Sequence, residues 1–162
     1  MLTHRDLCKI AANWLLAQSW CKLVAWEITY NRGFADAIGV SKCIRNNTKI
    51  AVCEVKRTRA DLLADLRKLK LLKYERGSTH CYLAITRECL GNNSPKEFLA
   101  DLGERGLPRH WGILLLPSTI GRLPTCVRRA RRLRPANATR LRLLTEKIAV
   151  QHMYRNIKNG AY

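Results

Sequence analysis

Between Lys49 and Glu75 the apolar period of the chain changes once, from two residues to about 3.6, which requires a fold that joins strand to helix. Over Lys49–Lys56 the side chains alternate as on a strand. Ile50, Val52, Glu54 and Lys56 share one face, and Ala51, Cys53 and Val55 take the other. From Arg59 to Glu75, Leu62, Leu63, Leu66, Leu69 and Leu72 recur at helical spacing. Thr58 is placed to cap that helix, Asp61 sits in its first turn, and Arg76-Gly77 provides an end. The pattern predicts a strand feeding directly into a helix over 59–75, with a carboxylate and an ammonium at the junction.

The rest of the chain supplies partners for this unit. Thr3 and Asp6 resemble a capping box, and Leu7, Ile10, Ala11, Trp14 and Leu15 then fall on one helical face, predicting a helix over 3–18. Residues 21–30 and 34–40 read as strands around an Asn31-Arg32-Gly33 turn, with Val24, Trp26, Ile28 and Tyr30 on one face of the first and Leu23, Ala25, Glu27 and Thr29 on the other. Arg45-Asn46-Asn47-Thr48 turns the chain into the strand at 49. Short connections make these three strands an antiparallel meander. His80–Thr86 and Trp111–Leu116 read as further strands, with a helix from Ser94-Pro95-Lys96-Glu97 to about Gly103 between them. Residues 122–134 read as a basic strand or loop, and 137–156 as a last helix. The expectation is one α/β domain over 1–162. Its central mixed β-sheet is flanked by helices, with the core in about 1–116 and a basic extension in about 117–162.

Charge narrows the function. Thirty Lys and Arg face twelve Asp and Glu, a formal +18 in 162 residues. Such an excess repels itself and favours a polyanionic partner whose counterions are released on binding. No apolar run approaches membrane-spanning length, and the N-terminus reads as an amphipathic helix, not a signal peptide. The expectation is no membrane association and a cytoplasmic location, in the host cytoplasm if the protein is viral. The seven cysteines contain no C-x-x-C pair and mostly sit in apolar runs, as buried thiols do.

Asp36, Glu54 and Lys56 are the residues that carry chemistry. Alternation brings Glu54 and Lys56 to one face, roughly 7 Å apart along the strand, and a neighbouring strand can set Asp36 beside them. Two carboxylates can hold a hard divalent cation, Mg²⁺ or Mn²⁺, through oxygen ligands. Lys56 can orient a water or stabilise phosphate charge. Glu-x-Lys alone is an ordinary surface pair. The Asp inside a second strand and the basic helix that follows set this one apart. Glu27 is either a further acid of the site or a solvent-facing strand residue. Asp61 and Asp65, four apart on one helical face, read as acids interacting with a helix start; Arg59 and Asp61 could instead pair with neighbours or steady the lysine.

Asp36, then Glu54-Val55-Lys56, then a basic helix resembles the core of the PD-(D/E)XK nuclease superfamily. The run Glu54-Val55-Lys56-Arg57-Thr58-Arg59-Ala60-Asp61-Leu62-Leu63-Ala64-Asp65, with Phe34-Ala35-Asp36-Ala37, is most similar to the MmcB-like DNA-repair family, over about residues 20–90. Ala35 stands where the motif's name has proline. The resemblance implies a restriction-endonuclease-like core and DNA as substrate. It further implies Asp36 and Glu54 as metal ligands and Lys56 as the catalytic lysine, with Glu27 as an additional acid. The implied activity is metal-dependent endonucleolytic hydrolysis in repair, recombination or phage DNA processing. The alternative is a non-catalytic DNA-binding module on the same fold. Such enzymes commonly dimerise to cut two strands, so a homodimer is a further expectation.

Arg57, Arg59, Arg67, Lys68, Lys70 and Lys73 on and beside the helix, and Arg128, Arg129, Arg131, Arg132 and Arg134 downstream, are the expected phosphate contacts. Trp14, Trp20, Trp26 and Trp111 lie in apolar contexts and read as core.

Overall fold

The computed structural model describes residues 2–31, 33–41, 48–68, 71–133 and 137–158. In chain order these form α1 (His4–Leu16), β1 (Cys21–Tyr30), β2 (Gly33–Ser41), β3 (Ile50–Lys56), α2 (Arg59–Arg67), α3 (Leu72–Glu75), β4 (His80–Ile85), α4 (Arg87–Leu90), α5 (Pro95–Glu104), β5 (Gly112–Leu115), β6 (Thr125–Arg128) and α6 (Ala138–Lys158). Local signals start the helices. Thr3 and Asp6 close a reciprocal capping box on α1, Ser94 and Glu97 close another on α5, and the Thr58 hydroxyl accepts from the Asp61 N–H at α2.

The strands form one six-stranded sheet in the order β1-β2-β3-β4-β5-β6. β1, β2 and β3 are the antiparallel meander; β4 and β5 join parallel to β3, and β6 closes antiparallel. Parallel pairing demands a crossover, which α2 and α3 supply before β4, and α4 and α5 before β5. This is the expected α/β fold with a mixed sheet between helices, consistent with a restriction-endonuclease-like core.

Alternation splits the core in two. On one face α1 packs Leu7, Cys8, Ala11, Trp14 and Leu15 against Ala37, Ala51, Cys53 and Val55. On the other, Leu62 and Leu66 of α2, Phe98 and Leu102 of α5, and Leu141, Leu144 and Ile148 of α6 cover Ile38, Val40, Ile50 and Val52. β5 packs tightly against β4 at Gly112, where a Cβ would lie 2.3 Å from the Tyr82 ring and 2.7 Å from the Ala130 nitrogen. No described helix is long and apolar enough to cross a membrane. The six described cysteines are free thiols, five buried and Cys126 half-buried.

Two expectations are corrected. The helix over 59–75 is two helices: α2 stops at Arg67, and α3 holds only Leu72–Glu75. At about 100° per residue, an unbroken helix would turn Leu71 some 180° away from Leu62. The break lets Leu71 and Tyr74 enter the core that Leu62 and Leu66 occupy. In β1 the strict alternation fails: Val24 belongs to the α1 side, while Ala25, Ile28 and Tyr30 all belong to the other. Glu27 lies between with φ of 50°, a left-handed residue that resets which face follows. Over 122–133 the chain is loop except for the strand Thr125–Arg128, within the expected strand or loop. Lys70, Arg134 and Leu69, Arg32, and residues 45–47 of the second turn, lie outside the described residues.

β1 is an edge strand, and α6 covers it through polar contacts. Gln151 Nε2 donates to the Trp26 and Glu27 carbonyls (3.3 and 3.2 Å), Arg155 donates to Trp26 O at 2.8 Å, and His152 Nε2 lies 2.7 Å from Val24 O. Arg155 also lies over the Trp26 ring, 4.0 Å from its centroid.

Candidate active site and metal centre

Glu54 and Lys56 end β3 on the α2 side and are both buried. Lys56 Nζ lies 3.0 Å from Glu54 Oε1, 2.6 Å from Asp65 Oδ2 and 3.8 Å from Asp61 Oδ2. Burial works against the Lys56 charge, but Glu54 and the Asp65 hydrogen bond outweigh it and hold the ammonium above its ordinary pKa. Asp65 is thus a direct partner of the lysine, not only a helix-start acid.

Tyr74, on α3, comes from the opposite side of Glu54. Its hydroxyl lies 2.7 Å from Glu54 Oε2 and 2.6 Å from the Phe34 carbonyl. Burial, and then the Glu54 charge, push the Tyr74 pKa far up, so the hydroxyl stays a donor. Glu54 itself is raised, first by burial and then by the charge of Asp36; Lys56 and Tyr74 only partly offset this. Two carboxylates therefore compete for negative charge in a poorly hydrated place, which is what a divalent cation relieves.

Asp36 sits on β2 one residue before Ala37, whose pairing with Cys53 ends the β2–β3 register, and its charge acts on Glu54. Its Oδ2 accepts from the Val55 N–H at 2.7 Å, and its Oδ1 faces His4 Nε2 at 3.3 Å. The same His4 nitrogen lies 3.4 Å from Cys8 Sγ. The hydrogen bond to Asp36 raises the His4 pKa against the opposing effect of burial. Glu27 is half-buried, with its carboxylate 3.6 Å from Arg5 Nε. Its charge acts on His4 and Cys8, so it belongs to the same acidic neighbourhood.

The basic residues divide. Arg67 and Lys68 are exposed at the end of α2, and Arg57 is half-buried next to Lys56. Lys73 is half-buried with Nζ 4.7 Å from the Tyr74 ring centroid. Arg59 is held inside the fold, donating to Leu90 O at 3.2 Å and to Asp101 at 2.9 Å. Arg128 also turns inward, donating to the Trp111 carbonyl at 2.8 Å. Arg129, Arg131 and Arg132 are exposed. Their segment runs beside Thr79, since Leu133 N bonds Thr79 O. Thr79 precedes β4, whereas Lys56 pairs with Ile85 at the other end. The arginine segment and the acids thus lie at opposite ends of the strands, about 20 Å apart. An open cleft of ≈ 730 Å³ is lined by Arg57, Arg87, Arg122, Glu88, Thr86 and Ser118 among others; Asp36, Glu54 and Lys56 are not in its lining, and Arg57, which follows Lys56, is the link between the two. The cleft lies outside the C-terminal ends of the parallel strands β3, β4 and β5.

His4, Cys8 and Tyr74 were not among the residues expected at the site. The spacing of four between His4 and Cys8 puts both on one face of α1 and was available in the sequence. Nothing local marks Tyr74, whose position depends on the break after α2. Trp14 and Trp111 are core as expected, while Trp20 and Trp26 are only half-buried.

No family model and no curated protein matches the chain. Among solved structures it is similar to SPO1766, a protein of unknown function from Silicibacter pomeroyi. The TM-score is 0.67 and the identity 22%, over 99% of this chain and 94% of that one. At that identity the likeness establishes a common α/β fold and nothing about activity.

Proposed function

We propose that the protein is a metal-dependent DNA endonuclease of the PD-(D/E)XK type. The observation that carries this reading is the convergence of Asp36, Glu54 and Lys56 at the end of β3, with the Glu54 pKa pushed up by burial and by Asp36. The carboxylates of Asp36 and Glu54 would hold Mg²⁺ or Mn²⁺. When bound, such an ion polarises a phosphoryl group and makes a bound water more acidic.

The chain's own residues do the rest. Val55 N–H and Tyr74 Oη orient the two carboxylates. Lys56, kept charged by Glu54 and Asp65, can stabilise charge on a scissile phosphate. The cleft lined by Arg57, Arg87 and Arg122 offers a path for the sugar-phosphate backbone. A duplex laid along the sheet could also reach Arg129, Arg131 and Arg132.

The test is incubation with supercoiled plasmid and branched DNA in Mg²⁺ or Mn²⁺. Cleavage should appear with the natural chain and vanish in Asp36→Ala, Glu54→Ala and Lys56→Ala proteins. Tight DNA binding without cleavage under every metal would instead assign a non-catalytic DNA-binding module.

A further inference from the structure

We propose that His4, Cys8 and Asp36 form a binding site for a borderline-soft divalent ion of the Zn²⁺ class, with one coordination position left open. The site stands on its own ligand geometry and goes beyond the nuclease reading, with which it shares only Asp36.

The three ligand atoms lie within 4.8 Å of one another. In a tetrahedral centre with metal bonds of about 2.3 Å to sulfur and about 2.0–2.2 Å to nitrogen or oxygen, ligand atoms stand roughly 3.3–3.6 Å apart. The observed separations are 3.3 Å from His4 Nε2 to Asp36 Oδ1 and 3.4 Å from His4 Nε2 to Cys8 Sγ. They match two edges of such a tetrahedron, and the third, from Cys8 Sγ to the Asp36 carboxylate, is no longer than 4.8 Å.

Hydrogen bonding explains the cluster less well. One ring nitrogen, Nε2, faces both the thiol and the carboxylate. A neutral imidazole nitrogen offers either one proton or one lone pair, so it cannot serve both partners well. A nucleophilic Cys–His–Asp relay would place the cysteine and the aspartate on different ring nitrogens. At 3.3 Å, the His4–Asp36 contact is also long for a charge-assisted bond, ordinarily about 2.7–2.9 Å. Three donors turned toward one shared point are instead the arrangement of a ligand set.

The supporting shell fits. The other Asp36 oxygen accepts from Val55 N–H at 2.7 Å, which fixes the carboxylate with Oδ1 toward His4. His4 and Cys8 are one helical turn apart on α1, so ion binding would tie the start of that helix to β2. Cys8 is buried and brings a thiol as its ligand group. Coordination would release the thiol proton to solvent and leave a thiolate on the ion. Sulfur and imidazole select Zn²⁺, Co²⁺ and related ions over Mg²⁺, which demands oxygen. Three protein ligands and an open position are the pattern of sites that bind a water or a substrate oxygen.

The test is titration of the reduced, metal-free full chain with Co²⁺. The expected result is one equivalent bound, with the strong visible bands of tetrahedral cobalt and a near-ultraviolet thiolate-to-cobalt band. Zn²⁺ should bleach the spectrum and excess Mg²⁺ should not. Cys8→Ser should lose the thiolate band. Because His4 is exposed, His4→Gln should fold normally and bind Co²⁺ at least ~100-fold more weakly, more than the loss of an outer partner costs. A pale octahedral spectrum, a thiolate band undiminished in Cys8→Ser, or unchanged affinity in His4→Gln would overturn the site. Plasmid cleavage read on the same preparations separates the two proposals. Cutting without the cobalt spectrum overturns this site alone; the full spectrum in a protein that cuts no DNA supports it.

Discussion

The Tyr74 hydroxyl lies 2.7 Å from Oε2 of Glu54, a buried carboxylate whose other oxygen faces Lys56 at 3.0 Å. Glu54 is thereby held between two donors from different parts of the chain. Tyr74→Phe removes one of them and should cost about 1–3 kcal/mol in chemical denaturation, the usual penalty for a buried acceptor left unmet. It should also raise the Glu54 pKa further, because that hydrogen bond lowers it. If metal must bind the ionised Glu54, the acid limb of Mg²⁺-dependent cleavage then moves to higher pH. A pH–rate profile with an unmoved limb would count against Tyr74 setting the carboxylate.

Asp36 raises the Glu54 pKa, and a raised carboxylate pKa has a defined sign. The folded state binds the proton more tightly than the unfolded one. Stability from this group is full below its unfolded pKa and lost as pH rises through the folded one. At neutral pH the acid pair is a net cost, so Asp36→Asn, which can still accept from Val55 N–H, should stabilise the metal-free protein by about 0.5–1 kcal/mol. The same change should abolish cleavage. Thermal melts at neutral pH and a plasmid assay read both effects.

Lys56 sits 2.6 Å from Asp65 in a buried pair. Lys56→Met should cost about 3–5 kcal/mol, because two buried carboxylates lose their shared cation, and Asp65→Ala should cost less, because Glu54 still faces Lys56 at 3.0 Å. The double variant should lose clearly less than the sum. Additive losses in a double-mutant cycle would show that the two residues are not coupled.

His80 should titrate at about 4, held down by burial first and then by Lys49 and Arg132. The unfolded chain binds this proton near the ordinary histidine value. Its contribution to stability is therefore full above that value and lost as pH falls toward about 4. The Thr79 hydroxyl donates to Ile50 O at 2.9 Å, so His80 Nδ1, 2.7 Å from Thr79 Oγ1, should be the protonated nitrogen. NMR titration of the His80 ring checks both the pKa and the tautomer.

On the DNA-binding reading, Arg129→Ala with Arg131→Ala should weaken binding uniformly across sequences and lower the log–log salt slope by about 2. Arg128→Ala should instead lower the melting temperature, because its guanidinium bonds the Trp111 carbonyl within the fold. Fluorescence anisotropy over a salt series, alongside thermal melts, separates these outcomes.

Much of the fold was legible because its signals are local. Capping boxes at Thr3–Asp6 and Ser94–Glu97 act within one turn, and alternation in β3 places Glu54 and Lys56 together whatever surrounds them. β1 was misread at Glu27 because a single left-handed residue changes which face follows, and periodicity assumes regular backbone. The helix after Lys56 was drawn too long because leucine spacing continues past Arg67. Only the need to bury Leu71 and Tyr74 beside Leu62 breaks it.

The sequence by itself determined the α/β order, the meander, and a carboxylate–lysine pair ending an apolar strand, since these follow from residue spacing and strand or helix period. Tertiary structure alone decided that Tyr74 reaches Glu54, that Asp65 holds Lys56, and that His4 and Cys8 face Asp36. It also decided which arginines point outward. Those contacts join residues on different elements, and their distances depend on how helices settle on the sheet, which no local period encodes.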